Sequence, residues 1–134
     1  MPKHTPAKQD PVGVIGLGLL GSALAERLQT AGYEVRGYDV DSACRERAEA
    51  AGCMAAASSA VVARHCSRIL FSLPDSDVSS AVVDELMPVL KQGTTIIDIT
   101  TGDPQVMQRI GDDLSAAGVG YLDATIAGSS VQAR

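Results

Sequence analysis

The chain has 134 residues, with 11 Lys and Arg against 16 Asp and Glu, a net charge of −5, and residues that are 46% hydrophobic but only 3% aromatic. That apolar content excludes a disordered chain. The dispersed acid leaves no polyanion-binding patch and sets nucleic acid aside as a partner, and no apolar run reaches the roughly 18 residues of a membrane span.

Residues 1–11, MPKHTPAKQDP, carry three prolines and no apolar h-region. They are expected to form a flexible lead-in and not a secretory signal, with a cytoplasmic location as the default. Val12 to Gly16 is an apolar run that stops at glycine, as a buried strand does. From Ser22 to Ala31 the residues Ala23, Leu24, Leu28 and Ala31 recur at helical spacing, and Gly32 closes the run. Glu34 to Asp39 reads as a second strand, and Ser42 to Ala51 as a helix opened by a Ser/Asp cap. Met54 to Ala56 is a weak strand, Ser59 to His65 a helix, and Arg68 to Leu73 a strong strand ended by Pro74. Asp77 is expected to cap a helix running to about Leu86, and Thr95 to Ile99 forms a fifth strand. Asp103-Pro104 is an N-cap followed by proline at the first helical position, opening a helix to Ala117; Gly120 to Ala124 is a sixth strand.

Strands and helices therefore alternate through six strands. The pattern predicts an α/β fold with a doubly wound parallel sheet in the order 3-2-1-4-5-6, a Rossmann-type dinucleotide-binding domain over residues 12–134. With no Trp and one Phe, its core must be built from Ala, Val, Ile and Leu. Cys44, Cys53 and Cys66 are odd in number and include no CxxC, which argues against a disulfide framework and against a metal site. Three reduced, partly buried thiols are expected.

Gly16-Leu17-Gly18-Leu19-Leu20-Gly21 is a GxGxxG at the end of a predicted strand and the start of a predicted helix. Gly16 permits the tight turn, Gly18 lets the backbone approach a pyrophosphate, and Gly21 lets helix pack against strand. The free N–H groups of Leu19, Leu20 and Gly21 then face an anion at the positive helix end. The bland alternative is a glycine-rich turn with no ligand. Asp39 ends the second strand 18 residues after Gly21. A carboxylate there can accept from both ribose hydroxyls and would repel a 2′-phosphate. Val40 beside it is neutral, Asp41 is a second acid, and Arg45 could reach back from the next helix. The charges favour NAD over NADP. The alternative for Asp39 is a helix N-cap, a task for which Asp41 and Ser42 are also at hand.

Four stretches, in order, resemble the β-hydroxyacid dehydrogenase family, which includes 3-hydroxyisobutyrate dehydrogenases, tartronate semialdehyde reductases and 6-phosphogluconate dehydrogenases. VGVIGLGLLGSALAERLQTAGYEVRGYDVD is similar to the family's GLGxMG opening, with Leu20 in place of Met. ILFSLPDSDVSSAV is similar to its LP turn, IIDITTGDP to its DxST segment, and YLDATIAGSS to its DAPVSGG substrate segment. The resemblance implies that Leu73 and Pro74 line the cofactor cleft and that Thr100 and Thr101 lie beside the nicotinamide. On the residues alone, Leu73-Pro74 reads as a strand terminator and the threonines as ordinary strand residues. Val78 stands where many members carry Asn. Ala127-Gly128-Ser129 replaces the family's Ser-Gly-Gly at the substrate carboxylate; the hydroxyl is lost at Ala127 and gained at Ser129, while the backbone N–H groups of Gly128 and Ser129 can still bind an anion.

The family takes the hydroxyl proton on a lysine in a helix after the substrate segment. This chain stops at Arg134, and family proteins are roughly twice as long, with a C-terminal helical domain. Lys91 and His65 fall at the wrong end of the predicted sheet. No catalytic residue is therefore assigned. The resemblance implies the cofactor domain of an NAD-dependent oxidoreductase for a small β-hydroxyacid or semialdehyde, inactive alone and homo-oligomeric when whole. The competing readings are a non-catalytic NAD-sensing regulatory module and an S-adenosylmethionine methyltransferase, which the complete GxGxxG disfavours.

Overall fold

A computed structural model describes residues 9–124 and 126. Six parallel strands form one sheet: β1 (Val12–Ile15), β2 (Val35–Tyr38), β3 (Met54–Ala55), β4 (Arg68–Phe71), β5 (Thr95–Asp98) and β6 (Gly120–Asp123). Their order is β3-β2-β1-β4-β5-β6, as the alternation predicts. Five helices connect them: α1 (Leu19–Thr30), α2 (Ser42–Ala50), α3 (Ser59–His65), α4 (Ser76–Leu86) and α5 (Pro104–Ala116).

The strand period of two sorts the core into two clusters. Val14 and Val35 pack with Leu17, Ala25, Ala48 and Cys53 under α1 and α2. Ile15, Ile69, Phe71 and Ile96 pack with Val62, Leu86, Met107 and Leu114 under α3, α4 and α5. Every residue of β1 is buried, as expected of a central parallel strand covered on both faces. The edge strand β6 differs: Leu122 is exposed.

Three sequence expectations shift. Helix α1 begins at Leu19, three residues before Ser22, and its buried side is Gly21, Ala23 and Ala25, while Ala31 is an exposed C-cap. Helix α4 is capped by Asp75 and not by Asp77: Asp75 is extended, so its Oδ1 accepts from Val78 N at 2.9 Å. Asp77 falls inside the first turn, where its charge complements the helix dipole. Strands β4 and β5 end at Phe71 and Asp98, short of Leu73 and Ile99. All three cysteines are free and buried. Among the described residues no helix is long and apolar enough to cross a membrane.

Candidate functional site

The site is built at the carboxyl end of the sheet, where β1 and β4 are neighbours and their connections leave to opposite faces. Gly16 has φ +97°, a region closed to most side chains, and a Cβ there would run into the carbonyl of Ser72. A Cβ on Gly21 would run into the carbonyl of Gly16, so both glycines are required by backbone contact. Gly18 is different: a Cβ there meets nothing within 4 Å. It is the N-cap of α1 and supplies no side-chain hydrogen bond to the helix. Among the described residues no side chain caps the first amides of α1, and the space beside Gly18 is open. A diphosphate would fit these amides and that space.

Asp39 lies beside that cradle. Its Oδ2 accepts from Leu17 N at 2.8 Å and its Oδ1 from Asp41 N at 2.9 Å. The helix-cap alternative does not hold, because Asp41 caps α2 through Ala43 N at 2.9 Å. A carboxylate offers about four acceptor positions, so two remain for a ligand. Arg45 does reach back, but to carbonyls: its Nη1 donates to Asp39 O at 2.6 Å and Val40 O at 3.3 Å, with the guanidinium 5.7 Å from the Tyr38 ring centre.

A cavity of about 420 Å³ runs from Gly16 and Gly18 past Asp39 and Val40 to Leu73 and Pro74. Seven of the residues singled out from sequence, Val78 among them, thus share one cleft. Leu17 turns its side chain into the core and contributes only its backbone. Leu19 is exposed at the helix start, and Leu19, Leu20 and Gly21 stand outside the cavity lining. Thr100 and Thr101 also lie outside it, Thr100 buried and Thr101 exposed. Ala127, Gly128 and Ser129 fall outside the described residues. The cavity adds Tyr38 and Val82, which lie within the quoted stretches without an assigned role, and Ser59 and Glu85, which no motif marks. Ser59 and Glu85 come from different helices, and only the fold brings them within 2.6 Å.

Behind the far wall sits a buried polar network. Asp98, fully buried at the end of β5, accepts from Thr100 N at 2.9 Å through Oδ1 and from the Tyr121 hydroxyl at 2.8 Å through Oδ2. Thr100 Oγ1 in turn accepts from Leu73 N at 3.1 Å and from Ser79 Oγ at 3.4 Å. The strand ends of β4, β5 and β6 are thereby tied together. Burial, and then the hydrogen bond to Asp98, push the Tyr121 hydroxyl far above its ordinary range, so it stays a donor.

His65 and Lys91 line a separate cavity of about 290 Å³ at the opposite end of the sheet, where Lys91 Nζ donates to Arg64 O at 3.1 Å. Among the described residues no group of three or more His, Cys, Asp or Glu is placed to hold a metal ion.

Comparison with known proteins agrees with this geometry. The family described as the NAD binding domain of 6-phosphogluconate dehydrogenase matches residues 11–134. Mouse mitochondrial 3-hydroxyisobutyrate dehydrogenase is 35% identical over 132 residues, covering 96% of this chain and 39% of that protein. The chain thus spans about two fifths of the length of such relatives. A Mycobacterium tuberculosis 3-hydroxyisobutyrate dehydrogenase solved with L-serine shares the fold, with a TM-score of 0.89 at 22% identity over 92% of this chain and 42% of that one. A variant imine reductase from Myxococcus stipitatus in complex with NAD+ gives a TM-score of 0.85 at 25% identity, over 92% of this chain and 43% of that one.

Proposed function

We propose that this chain, which belongs to the family of NAD-binding domains of 6-phosphogluconate dehydrogenase, is the cofactor-holding part of an NAD-dependent oxidoreductase for a small β-hydroxyacid or its semialdehyde. The single observation that carries the cofactor reading is the unfilled space at Gly18, continuous with the Asp39 carboxylate in one cleft.

The amides at the start of α1 bind the diphosphate, and the open side of Gly18 leaves it room. Asp39 accepts from the adenosine ribose hydroxyls with the lone pairs that Leu17 and Asp41 leave free. A 2′-phosphate would meet this carboxylate at close range; the Arg45 guanidinium keeps its charge nearby, with Nη1 held by the Asp39 and Val40 carbonyls. NAD is therefore preferred to NADP. Leu73 and Pro74 form the wall towards the reacting end, and the hydrogen bond from Leu73 N to Thr100 fixes that wall. When bound, the nicotinamide supplies the hydride-transfer chemistry. Among the described residues the cleft has no lysine or histidine to take the hydroxyl proton, since Lys91 and His65 sit at the other end of the sheet. Positioned acid–base catalysis contributes about 10² to 10⁴ in rate, so the 134 residues alone are expected to bind cofactor without turnover. The mouse relative's name supports the substrate class.

Fluorescence titration with NADH and NADPH tests the reading. NADH should bind more tightly, Asp39→Ala should narrow the gap, and Gly18→Val should remove binding of both while the melting temperature holds. Tighter binding of NADPH overturns the preference. Retained affinity in Gly18→Val means that the diphosphate does not lie against α1.

A further inference from the structure

The cleft continues beyond Asp39 to a polar pair that the reading above leaves without a task. Ser59, 2% exposed in the first turn of α3, donates at 2.6 Å to Glu85 Oε1 on α4. Both line the same cavity as Gly18 and Asp39. The same lining includes the apolar Val40, Val78 and Val82, the last two one helical turn apart on α4. Apolar side chains suit the faces of a flat ring, and Ser59 and Glu85 are polar groups of the same lining that can meet its edge.

A carboxylate presents acceptors only. Oε1 is held by Ser59, and no hydrogen bond to Oε2 is made among the described residues. The pair is thus a carboxylate acceptor on an exposed residue, tethered by one hydrogen bond to a buried hydroxyl. If Asp39 holds the ribose, as proposed above, the base attached to that ribose extends away from the diphosphate cradle, along Val40, to this end. We propose that Ser59 and Glu85 form a base-reading pair in which Glu85 accepts a hydrogen bond from the exocyclic amino group of a 6-aminopurine. The inference rests on the cofactor reading but assigns a specificity residue which that reading does not need. The competing role is a plain brace between α3 and α4.

The test compares NADH with its reduced 1,N6-etheno analogue, whose fused ring removes both amino hydrogens, on the 134-residue chain. Glu85→Met is the decisive variant: it removes both acceptors at similar length, whereas a glutamine can turn its amide to donate to the Ser59 hydroxyl and still accept from the base. Thermal melting monitors the brace separately. Glu85→Met should weaken NADH about tenfold or more, as loss of one hydrogen bond to a charged group does, with binding of the etheno analogue unchanged. Ser59→Ala should give a smaller loss in the same direction, because the carboxylate is no longer tethered. Equal effects of Glu85→Met on both ligands, or none on NADH, leave only the brace and overturn the proposal. If NADH itself fails to bind, the cofactor reading falls and this inference with it; if NADH binds and only the selective loss is missing, the cofactor reading stands alone.

Discussion

The two walls of the cleft are built on different principles. The β1–α1–β2 wall is a backbone structure: glycines that admit close contact, helix amides, and a carboxylate that ties Leu17 to Asp41. The β4–β5–β6 wall is a side-chain structure, in which Asp98 links Tyr121 to Thr100 and Thr100 holds Leu73. The first wall depends on where atoms are missing, the second on where hydrogen bonds are completed. They should therefore fail differently under substitution.

The largest effect is expected at Gly16. Alanine there combines a positive φ with collision against the Ser72 carbonyl. Chemical denaturation should show a loss of about 3 kcal/mol or more, since strained backbone alone costs about 1–3. Gly32 provides the control: φ is +93° with nothing within 4 Å, so Gly32→Ala should cost only about 1 kcal/mol. Equal losses at both positions would mean that conformation and not contact governs this wall.

On the other wall, Asp98→Ala removes the carboxylate from a half-buried Tyr121 hydroxyl, which keeps Met107 Sδ at 3.4 Å, and from the buried Thr100 amide at once. The expected cost is about 2–3 kcal/mol, with Tyr121→Phe near half of that. Measured together, the two substitutions should be strongly non-additive, because they remove the same bond. Additive losses would dissolve the network into independent contacts.

The smallest effect concerns the thiols. Burial pushes Cys53 and Cys66 up to about 11. A folded-state value above the ordinary one of 9.0 stabilises the fold below about pH 9 and loses that contribution as pH rises towards 11. The melting temperature should thus decline across this window, and less steeply in Cys53→Ala. An unchanged slope in that variant would assign the decline to other groups.

The same division explains what the sequence makes legible. The first wall follows from local spacing: glycines at fixed offsets and an acid at the next strand end need only adjacent elements to meet. Strand order followed in the same way, from alternation alone. The residues of the second wall were marked only by resemblance, and their contacts were not readable. Thr100 is read as lying beside the nicotinamide from resemblance alone, and its burial and its bond to Leu73 N follow from the fold and from no spacing in the sequence. Ser59 and Glu85 carried no signal, because a serine in a first turn and a glutamate late in a helix are commonplace. Their meeting depends on the packing of α3 against α4. The Asp77 cap failed for a smaller reason: Asp75 and Asp77 both suit an N-cap by type, and only the extended backbone at Asp75 decides between them.

The two core clusters, divided by the sheet, have a consequence for how the domain tolerates change. Val14 faces α1 and α2, whereas its neighbour Ile15 faces α3 to α5. The sheet acts as a partition, so a void opened on one side has no shared neighbours through which to propagate to the other. Substitutions in separate compartments should sum, as independent sites do. Sequence drift can then proceed in the core under α1 and α2 without renegotiating the core under α3 to α5. The two cores are free to evolve at separate rates, while the cleft walls stay coupled where Gly16 meets the Ser72 carbonyl.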